Sequence, residues 1–88
     1  MPKIKLTKRF FKAYSHLPVG LREKIDKQIE LLAENPRHPS LQSKPIQGAP
    51  GIYEARIDQD YRLAYQRLPG DVLLIRVVGK HDVTIKNP

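Results

Sequence analysis

The stretch Ile52–Val78, IYEARIDQDYRLAYQRLPGDVLLIRVV, carries the clearest structural signal in the chain, because its apolar and polar residues alternate with the period of a β-strand. It divides into three runs, at 52–57, 61–68 and 72–78. Short turns rich in Asp, Pro and Gly separate these runs, so they predict an antiparallel meander of three strands. The third run is apolar except for Arg76, which favours the centre of the sheet.

The alternation assigns the side chains of these strands to two faces. The face expected to pack against helices carries apolar and aromatic residues: Tyr53, Ala55, Leu63 and Tyr65. The opposite face is expected to display charged residues: Glu54, Arg56 and Arg62. On the third strand, Arg76 and Val78 share one parity. Charged side chains of neighbouring strands are therefore predicted to converge on one surface.

The first third of the chain has mainly the period of a helix. Residues 3–6 alternate as a short strand, and Thr7 then offers its hydroxyl as the N-cap of a first helix that ends before Pro18. A second, stronger helix starts at Val19 and ends at Asn35, because a residue before proline is pushed out of the α region. The two helices predict an αα-hairpin.

Residues 36–51 hold four of the eight prolines, which predicts an irregular segment. Leu41 and Ile46 are spaced so that they can anchor it to the rest of the molecule. The expected fold class is α+β, with element order β-α-α-β-β-β in a single domain over 1–88. The short N-terminal strand joins an edge of a small antiparallel sheet, and the αα-hairpin packs on one face of that sheet.

The charge of the chain favours a polyanionic partner such as nucleic acid. Sixteen Lys and Arg residues against nine Asp and Glu residues give a net charge of +7. Six basic residues precede the first acidic residue, Glu23. The alternative interpretation is that small basic proteins are often simply soluble.

The composition also excludes several classes of protein. Without cysteine, the chain forms neither disulfides nor thiolate metal sites, and its three histidines lie far apart in sequence, so we expect no metal and no cofactor. No run approaches the roughly 20 apolar residues of a membrane span, and Met1–Leu6 is no signal peptide. We therefore expect a cytoplasmic protein without a membrane partner.

One group of residues could carry chemistry. Arg56 and Arg62 lie on the predicted polar face, and Gly79-Lys80-His81-Asp82 follows the third strand. Guanidinium groups can hold a phosphodiester, while an imidazole and a carboxylate can move protons around it. This set suits metal-independent RNA cleavage, in which a 2′-hydroxyl loses a proton and a 5′-oxygen gains one. The alternative is that these charges only keep an exposed sheet face soluble.

Five segments, together with the order of elements, have counterparts in a known family: residues 34–39, 41–48, 51–56, 61–65 and 78–82. They resemble the RelE/ParE toxin superfamily of bacterial toxin–antitoxin modules. The most specific pieces are Tyr-Arg-Leu-x-Tyr at 61–65 and Gly-x-His at 79–81, and the latter resembles the YafQ branch of ribosome-dependent messenger-RNA interferases. The resemblance implies a toxin that cuts messenger RNA in the ribosomal A site and is held inactive by an antitoxin.

The resemblance also implies roles for four catalytic candidates. Arg62 matches an arginine of the family that is expected to bind phosphate and stabilise the transition state. Arg56 stands where many members of the family keep a second basic residue. His81 matches the histidine that serves as general acid or base in YafQ-like members. Asp60 resembles an acidic position of the same branch. Glu54 stands where RelE-like sequences carry a lysine. We expect no counterpart of the C-terminal helical segment of RelE.

Further basic residues are expected to contact RNA: Lys8, Arg9, Lys12, Lys44, Arg76 and Lys80. The partners implied are a cognate antitoxin, the ribosome and messenger RNA. Two alternatives remain open at this point. One is a ParE-like inhibitor that poisons DNA gyrase by binding, and the other is a degenerate, non-catalytic member that only binds an antitoxin.

Overall fold

The computed structural model describes all 88 residues, and its helices and strands follow the predicted order with two additions. The elements in chain order are β1 (Lys3–Leu6), α1 (Lys8–Ser15), α2 (Val19–Glu34), β2 (Lys44–Pro45), β3 (Ile52–Arg56), β4 (Tyr61–Leu68), β5 (Val72–Lys80) and α3 (His81–Lys86). The additions are β2 and α3. The α+β class is confirmed.

The five strands form one sheet in the order β1-β5-β4-β3-β2. The meander of β3, β4 and β5 is antiparallel as predicted, but β1 pairs with β5 in parallel, with Lys3 opposite Val72. The sheet is therefore mixed, and the prediction of a wholly antiparallel sheet was wrong. The helical hairpin and residues 36–51 carry the chain from β1, at one edge of the sheet, to β2 at the other edge. The strands β3 and β5 both run in the same direction as β1.

The helical hairpin forms for the predicted reasons. The Thr7 hydroxyl accepts a hydrogen bond from the backbone N–H of Phe10 at 2.9 Å and so caps α1. It also donates to the carbonyl of Arg76 on β5 at 2.7 Å, which ties this cap to the sheet. The main core lies between the helices and one face of the sheet. Its fully buried members include Ile25 and Leu32 of α2.

A β-bulge in β5 changes the predicted faces of that strand. Ala64 pairs with Val77 and Tyr65 pairs with Ile75, so Arg76 has no partner residue on β4. Val78 consequently packs in the main core, whereas Val77 joins a second cluster on the opposite face. The prediction that Arg76 and Val78 share one face was wrong, because simple alternation cannot count across an extra residue.

The irregular segment is anchored where the sequence predicted. Leu41, at the end of a short 3-10 turn (Pro39–Leu41), is fully buried in the main core. Ile46 is 5% exposed and packs with Ala64 in the second cluster. The segment also contributes the short edge strand β2, which pairs with β3.

The second face of the sheet is partly covered instead of fully exposed. The helix α3 packs on β4 and β5, and its Ile85 contacts the second cluster. This corrects the expectation that the chain lacks a C-terminal helix. Glu54, predicted to be displayed, is only 4% exposed, and Lys44 of the neighbouring strand lies 3.7 Å from its carboxylate. None of the helices is both long and apolar enough to cross a membrane.

Candidate active site

A polar cleft of about 500 Å³ opens where β4 begins and β5 ends. No apolar side chain lines it; its walls are Gln59, Asp60, Arg62, Lys80, His81 and Asp82. The structure thus brings together three of the four predicted catalytic residues, along with Lys80. The fourth, Arg56, lies beside the cleft on β3, directly opposite Arg62 in the strand register.

The turn between β3 and β4 shapes one wall of this cleft. The Asp58 carboxylate accepts hydrogen bonds from the backbone N–H groups of Asp60 and Tyr61, each at 2.9 Å. Lys24 of α2 lies 3.6 Å from the other carboxylate oxygen. Partial burial raises the pKa of Asp58, but the two N–H groups and the Lys24 ammonium outweigh it and hold the pKa below its ordinary value. The turn is thereby fixed to both the sheet and a helix.

The two arginines converge on a single backbone oxygen. Arg62 donates from Nη1 to the carbonyl of Asp58 at 2.5 Å, and Arg56 donates from Nε to the same oxygen at 3.3 Å. Both side chains are half-buried. A guanidinium carries five N–H donors, so each arginine keeps several donors for a bound anion. The shared carbonyl therefore fixes two positive groups side by side at the cleft.

Gly79 precedes the two cleft residues Lys80 and His81 and allows close packing of α3 on β5. It lies opposite Arg62 in the strand register, on the face that α3 covers. A Cβ atom at this position would stand 3.2 Å from the Thr84 hydroxyl of α3. The missing side chain thus lets α3 approach the strand closely.

His81 is held at the first residue of α3. Its backbone N–H donates to the carbonyl of Asp60 at 2.9 Å, which links the start of this helix to the turn before β4. Its Nδ1 lies 3.5 Å from a carboxylate oxygen of Asp82, and 43% of its side chain is exposed. An imidazole beside a carboxylate, open to solvent, can exchange a proton with a bound substrate.

The other predicted RNA contacts lie outside the cleft. Lys8 and Lys12 are exposed on α1. The Arg9 guanidinium donates to the carbonyl of Asn87, and Lys44 faces Glu54 in a separate small cleft. Only Lys80 belongs to the same surface as the catalytic candidates.

Arg76 is engaged within the molecule. Its Nη1 donates to the Gln66 side chain at 2.8 Å, and its Nε donates to the carbonyl of Pro88 at 3.0 Å. It therefore fastens the end of the chain to the sheet, a role that the sequence analysis did not assign.

One further residue of the site was missed by sequence reasoning. Asp58 organises the arginines and the turn, whereas Asp82, which the sequence already grouped with His81, stands beside that histidine. The signal for Asp58 is the Asp-Gln-Asp turn between two strands, because an aspartate often accepts hydrogen bonds from the N–H groups that follow it.

Solved toxin structures share this fold. The RelE toxin of the intact Escherichia coli RelBE toxin–antitoxin complex is similar with a TM-score of 0.73 and 26% identity, over 91% of this chain and 96% of that chain. YafQ from E. coli has a TM-score of 0.74 and 21% identity, over 94% of this chain and 97% of that chain. The YoeB/ParE toxin from Agrobacterium tumefaciens has a TM-score of 0.76 and 21% identity, over 90% of this chain and 98% of that chain.

The fold is thus that of the RelE/ParE toxin superfamily, which confirms the resemblance seen in the sequence. Residues 4–83 match the model of the ParE toxin of the type II toxin–antitoxin system parDE. The chain belongs to this family of toxins. Among curated protein sequences, none matches it.

Proposed function

We propose that this toxin is a ribosome-dependent endoribonuclease that cleaves messenger RNA and so inhibits translation. The observation that carries the proposal is the shared cleft of Arg62, Lys80, His81 and Asp60, with Arg56 beside it. Positive groups next to an exposed imidazole are the equipment of phosphodiester cleavage, whereas a surface that only binds a partner has no need of a proton-transfer group.

Each residue has a role in the proposed reaction. The 2′-oxygen of the RNA attacks phosphorus as its proton is removed, and the bond from phosphorus to the 5′-oxygen breaks as that oxygen takes up a proton. Arg62 binds the scissile phosphate and stabilises its developing negative charge, and Arg56 shares that charge. His81 transfers a proton, the role that an imidazole most often takes in general acid–base catalysis. Asp60 assists by orienting the reacting groups.

The test replaces two of these residues singly. Loss of a general acid or base lowers a rate by roughly 100- to 10,000-fold, so we expect His81→Gln to abolish growth inhibition on induced expression. Arg62→Ala removes an interaction worth about 3 kcal/mol to the transition state and should do the same. Mapping of messenger-RNA ends in the same cells should show new cuts with the parent protein and not with either of these two variants.

The matched control is His16→Gln. His16 is an exposed histidine at the end of α1, outside the cleft, so this variant should stay toxic. If His81→Gln and Arg62→Ala both remain as toxic as the parent and messages stay uncut, the nuclease function is excluded.

A second candidate function is inhibition of DNA gyrase by binding. The matching family model, which describes ParE toxins, favours it. A binder would not need His81, so undiminished toxicity of His81→Gln with intact messenger RNA would support this candidate. A non-catalytic member that only binds an antitoxin would instead show no toxicity in the parent protein.

The partner that restrains the toxin is proposed to be a cognate antitoxin, as in the RelE–RelB and YafQ–DinJ complexes. An apolar groove of about 360 Å³ runs between β1, α1 and α2, and its lining includes Phe10, Phe11 and Ile29. Phe11 is 58% exposed. Beside the groove, β1 is an edge strand with β5 as its single neighbour, so it can accept an added strand.

The ribosome and messenger RNA complete the proposed partners. Lys8 and Lys12 stand one helical turn apart on α1 and point a pair of exposed charges outward, which suits contacts to RNA phosphates. Lys80 adds a positive charge at the cleft itself.

A further inference from the structure

A second polar cleft lies at the opposite end of the sheet from His81. Its volume is about 270 Å³, and a neighbouring cleft of about 340 Å³ adjoins it. Arg37 and Arg67 line both clefts and so form the wall between them. We refer to the smaller cleft, with Arg37, His38, Tyr53 and Arg67 in its lining, as the distal cleft.

The charges of the distal cleft are not neutralised by carboxylates. The contacts within 4.0 Å between a basic side chain and a carboxylate are Lys24–Asp58, Lys44–Glu54 and His81–Asp82, so neither Arg37 nor Arg67 belongs to one. Asp71 lines the neighbouring cleft but makes no such pair. Both arginines are exposed, and their donors are free for an external anion.

An aromatic platform holds Arg67 in place. Its guanidinium carbon lies 4.5 Å from the centre of the Tyr53 ring. Tyr53 in turn stacks on the fully buried Tyr65, with ring centres 5.6 Å apart, and the Tyr65 hydroxyl is hydrogen-bonded to Ser43. The Arg67 guanidinium therefore rests on two stacked rings, the second of which is buried in the core. Because this side chain is already held in place, it loses little conformational entropy when a ligand binds.

His38 adds a donor to the same cleft. Its Nδ1 accepts a hydrogen bond from the backbone N–H of Ser40 at 3.2 Å. A neutral ring that accepts at Nδ1 carries its proton on Nε2, so the free edge of the ring is a hydrogen-bond donor. Two guanidinium groups and this imidazole thus offer donors only, which suits a phosphate.

We propose that the distal cleft is an accessory RNA-binding site that takes a backbone phosphate between Arg37 and Arg67 and stacks a base against the Arg67–Tyr53 pair. The proposal rests on RNA as the target of this toxin. A carboxylate-bearing peptide would satisfy the charges, but it would leave the stacking platform unused, whereas nucleotides use both. Arg67 stands five residues from Arg62 along β4, so their Cα atoms are roughly 17 Å apart and their side chains project from opposite faces of the sheet. The site therefore engages a different nucleotide from the one cleaved.

The test measures binding of purified protein to a short single-stranded 2′-O-methyl RNA, which has no free 2′-hydroxyl and stays intact. We expect Arg37→Gln/Arg67→Gln to weaken binding and to lower the slope of log affinity against log salt by about 0.7 for each phosphate that the variant no longer binds. Both residues are exposed, so the fold should be retained. The control Lys27→Gln/Lys86→Gln removes the same charge from exposed positions elsewhere and should leave the slope unchanged.

A second arm identifies the ligand class. The Nε–H resonances of Arg37 and Arg67 should shift on titration with the RNA and much less with a poly-glutamate peptide. The proposal is overturned if the Arg37→Gln/Arg67→Gln protein binds RNA with the same slope as the control, or if poly-glutamate shifts these resonances more than RNA does. Failure of the proposed nuclease shows up separately, as undiminished toxicity of His81→Gln.

Discussion

Asp58 links the catalytic candidates to the rest of the molecule. Its backbone carbonyl accepts hydrogen bonds from both Arg56 and Arg62, and its carboxylate accepts one from the backbone N–H of Tyr61 at the start of β4. Lys24 connects the same carboxylate to α2. One residue thus sets the positions of two guanidinium groups, although it has no place in the proposed proton transfer.

We expect Asp58→Ala to lower the free energy of unfolding by about 2 kcal/mol at pH 7, because two N–H groups lose a charged acceptor. The folded-state pKa of Asp58 is depressed, so its contribution is present above the ordinary aspartate value of 3.8 and is lost as pH falls through the folded pKa. Denaturant unfolding at several pH values should therefore show parent and variant converging in acid. The exposed Glu30→Ala serves as control, and an equal loss of stability in both variants would contradict this account.

Glu54 illustrates how a charged residue becomes part of the interior. It belongs to the polar face of β3 by alternation, yet the short strand β2 and the second apolar cluster cover it. Lys44 supplies the opposite charge across the strand pair. Because Lys44 is occupied in this way, it is a weaker candidate for RNA contact than Lys8 or Lys12.

At the scale of elements, the short helix α3 decides where His81 stands. Its six residues are too few for a helix that is stable alone, so its position depends on contacts with the sheet. Ile85 packs on the second cluster, and the bonds from Arg76 to Pro88 and from Arg9 to Asn87 hold the residues that follow the helix. The bulge at Arg76 is what turns this side chain toward the end of the chain.

We expect Arg76→Met to loosen α3, because it removes two charge-assisted hydrogen bonds, each worth about 1.5 kcal/mol or more. The measurement is amide hydrogen exchange at Asn87, whose N–H bonds to the carbonyl of Val83 and should exchange roughly tenfold faster. Lys27→Met, at an exposed position of α2, is the matched control. Unchanged exchange at Asn87 in the Arg76 variant would show that the helix does not depend on this anchor.

At the scale of the whole molecule, the apolar groove and the cleft with the catalytic candidates are separated. The apolar groove lies on the side of β1 and the helices, whereas the cleft with His81 lies at the junction of β4, β5 and α3. The antitoxin and the scissile RNA are therefore proposed to use different surfaces, whereas the RNA contacts proposed for Lys8 and Lys12 lie on α1, which also lines the groove. We propose that an antitoxin seated in the groove inhibits by blocking access to the ribosome instead of filling the cleft.

We expect Phe11→Glu to weaken binding of the cognate antitoxin by roughly 30-fold or more, because truncation of a central apolar side chain in an interface typically costs about 2 kcal/mol or more. Phe11 is 58% exposed, so the fold should tolerate the change. Val83→Glu, which replaces another exposed apolar residue on α3, is the control. Isothermal titration calorimetry with the antitoxin measures the affinity of each variant and of the parent. Equal affinities for Phe11→Glu and the parent would show that the groove is not part of the antitoxin interface.

The sequence by itself determined the elements that depend on local physical chemistry. Strand alternation over 52–78, the Thr7 cap and the proline that follows Asn35 fixed the meander and the hairpin, because each acts within a few residues. The motifs around Arg62 and His81 also selected the residues that meet in the cleft. Their catalytic roles remain proposals.

Only the tertiary structure decided features that depend on residues far apart in the chain. The parallel pairing of β1 with β5 and the bulge at Arg76 arise when strands pair across the sheet, where one extra residue exchanges the faces of all that follow. The burial of Glu54 and the folding of α3 depend on the second apolar cluster, whose members come from five different parts of the chain. The hydrogen bonds from Arg56 and Arg62 to the Asp58 carbonyl likewise form only when β3 and β4 pair and the turn between them is folded. No local sequence pattern predicts which carbonyl two arginines will share.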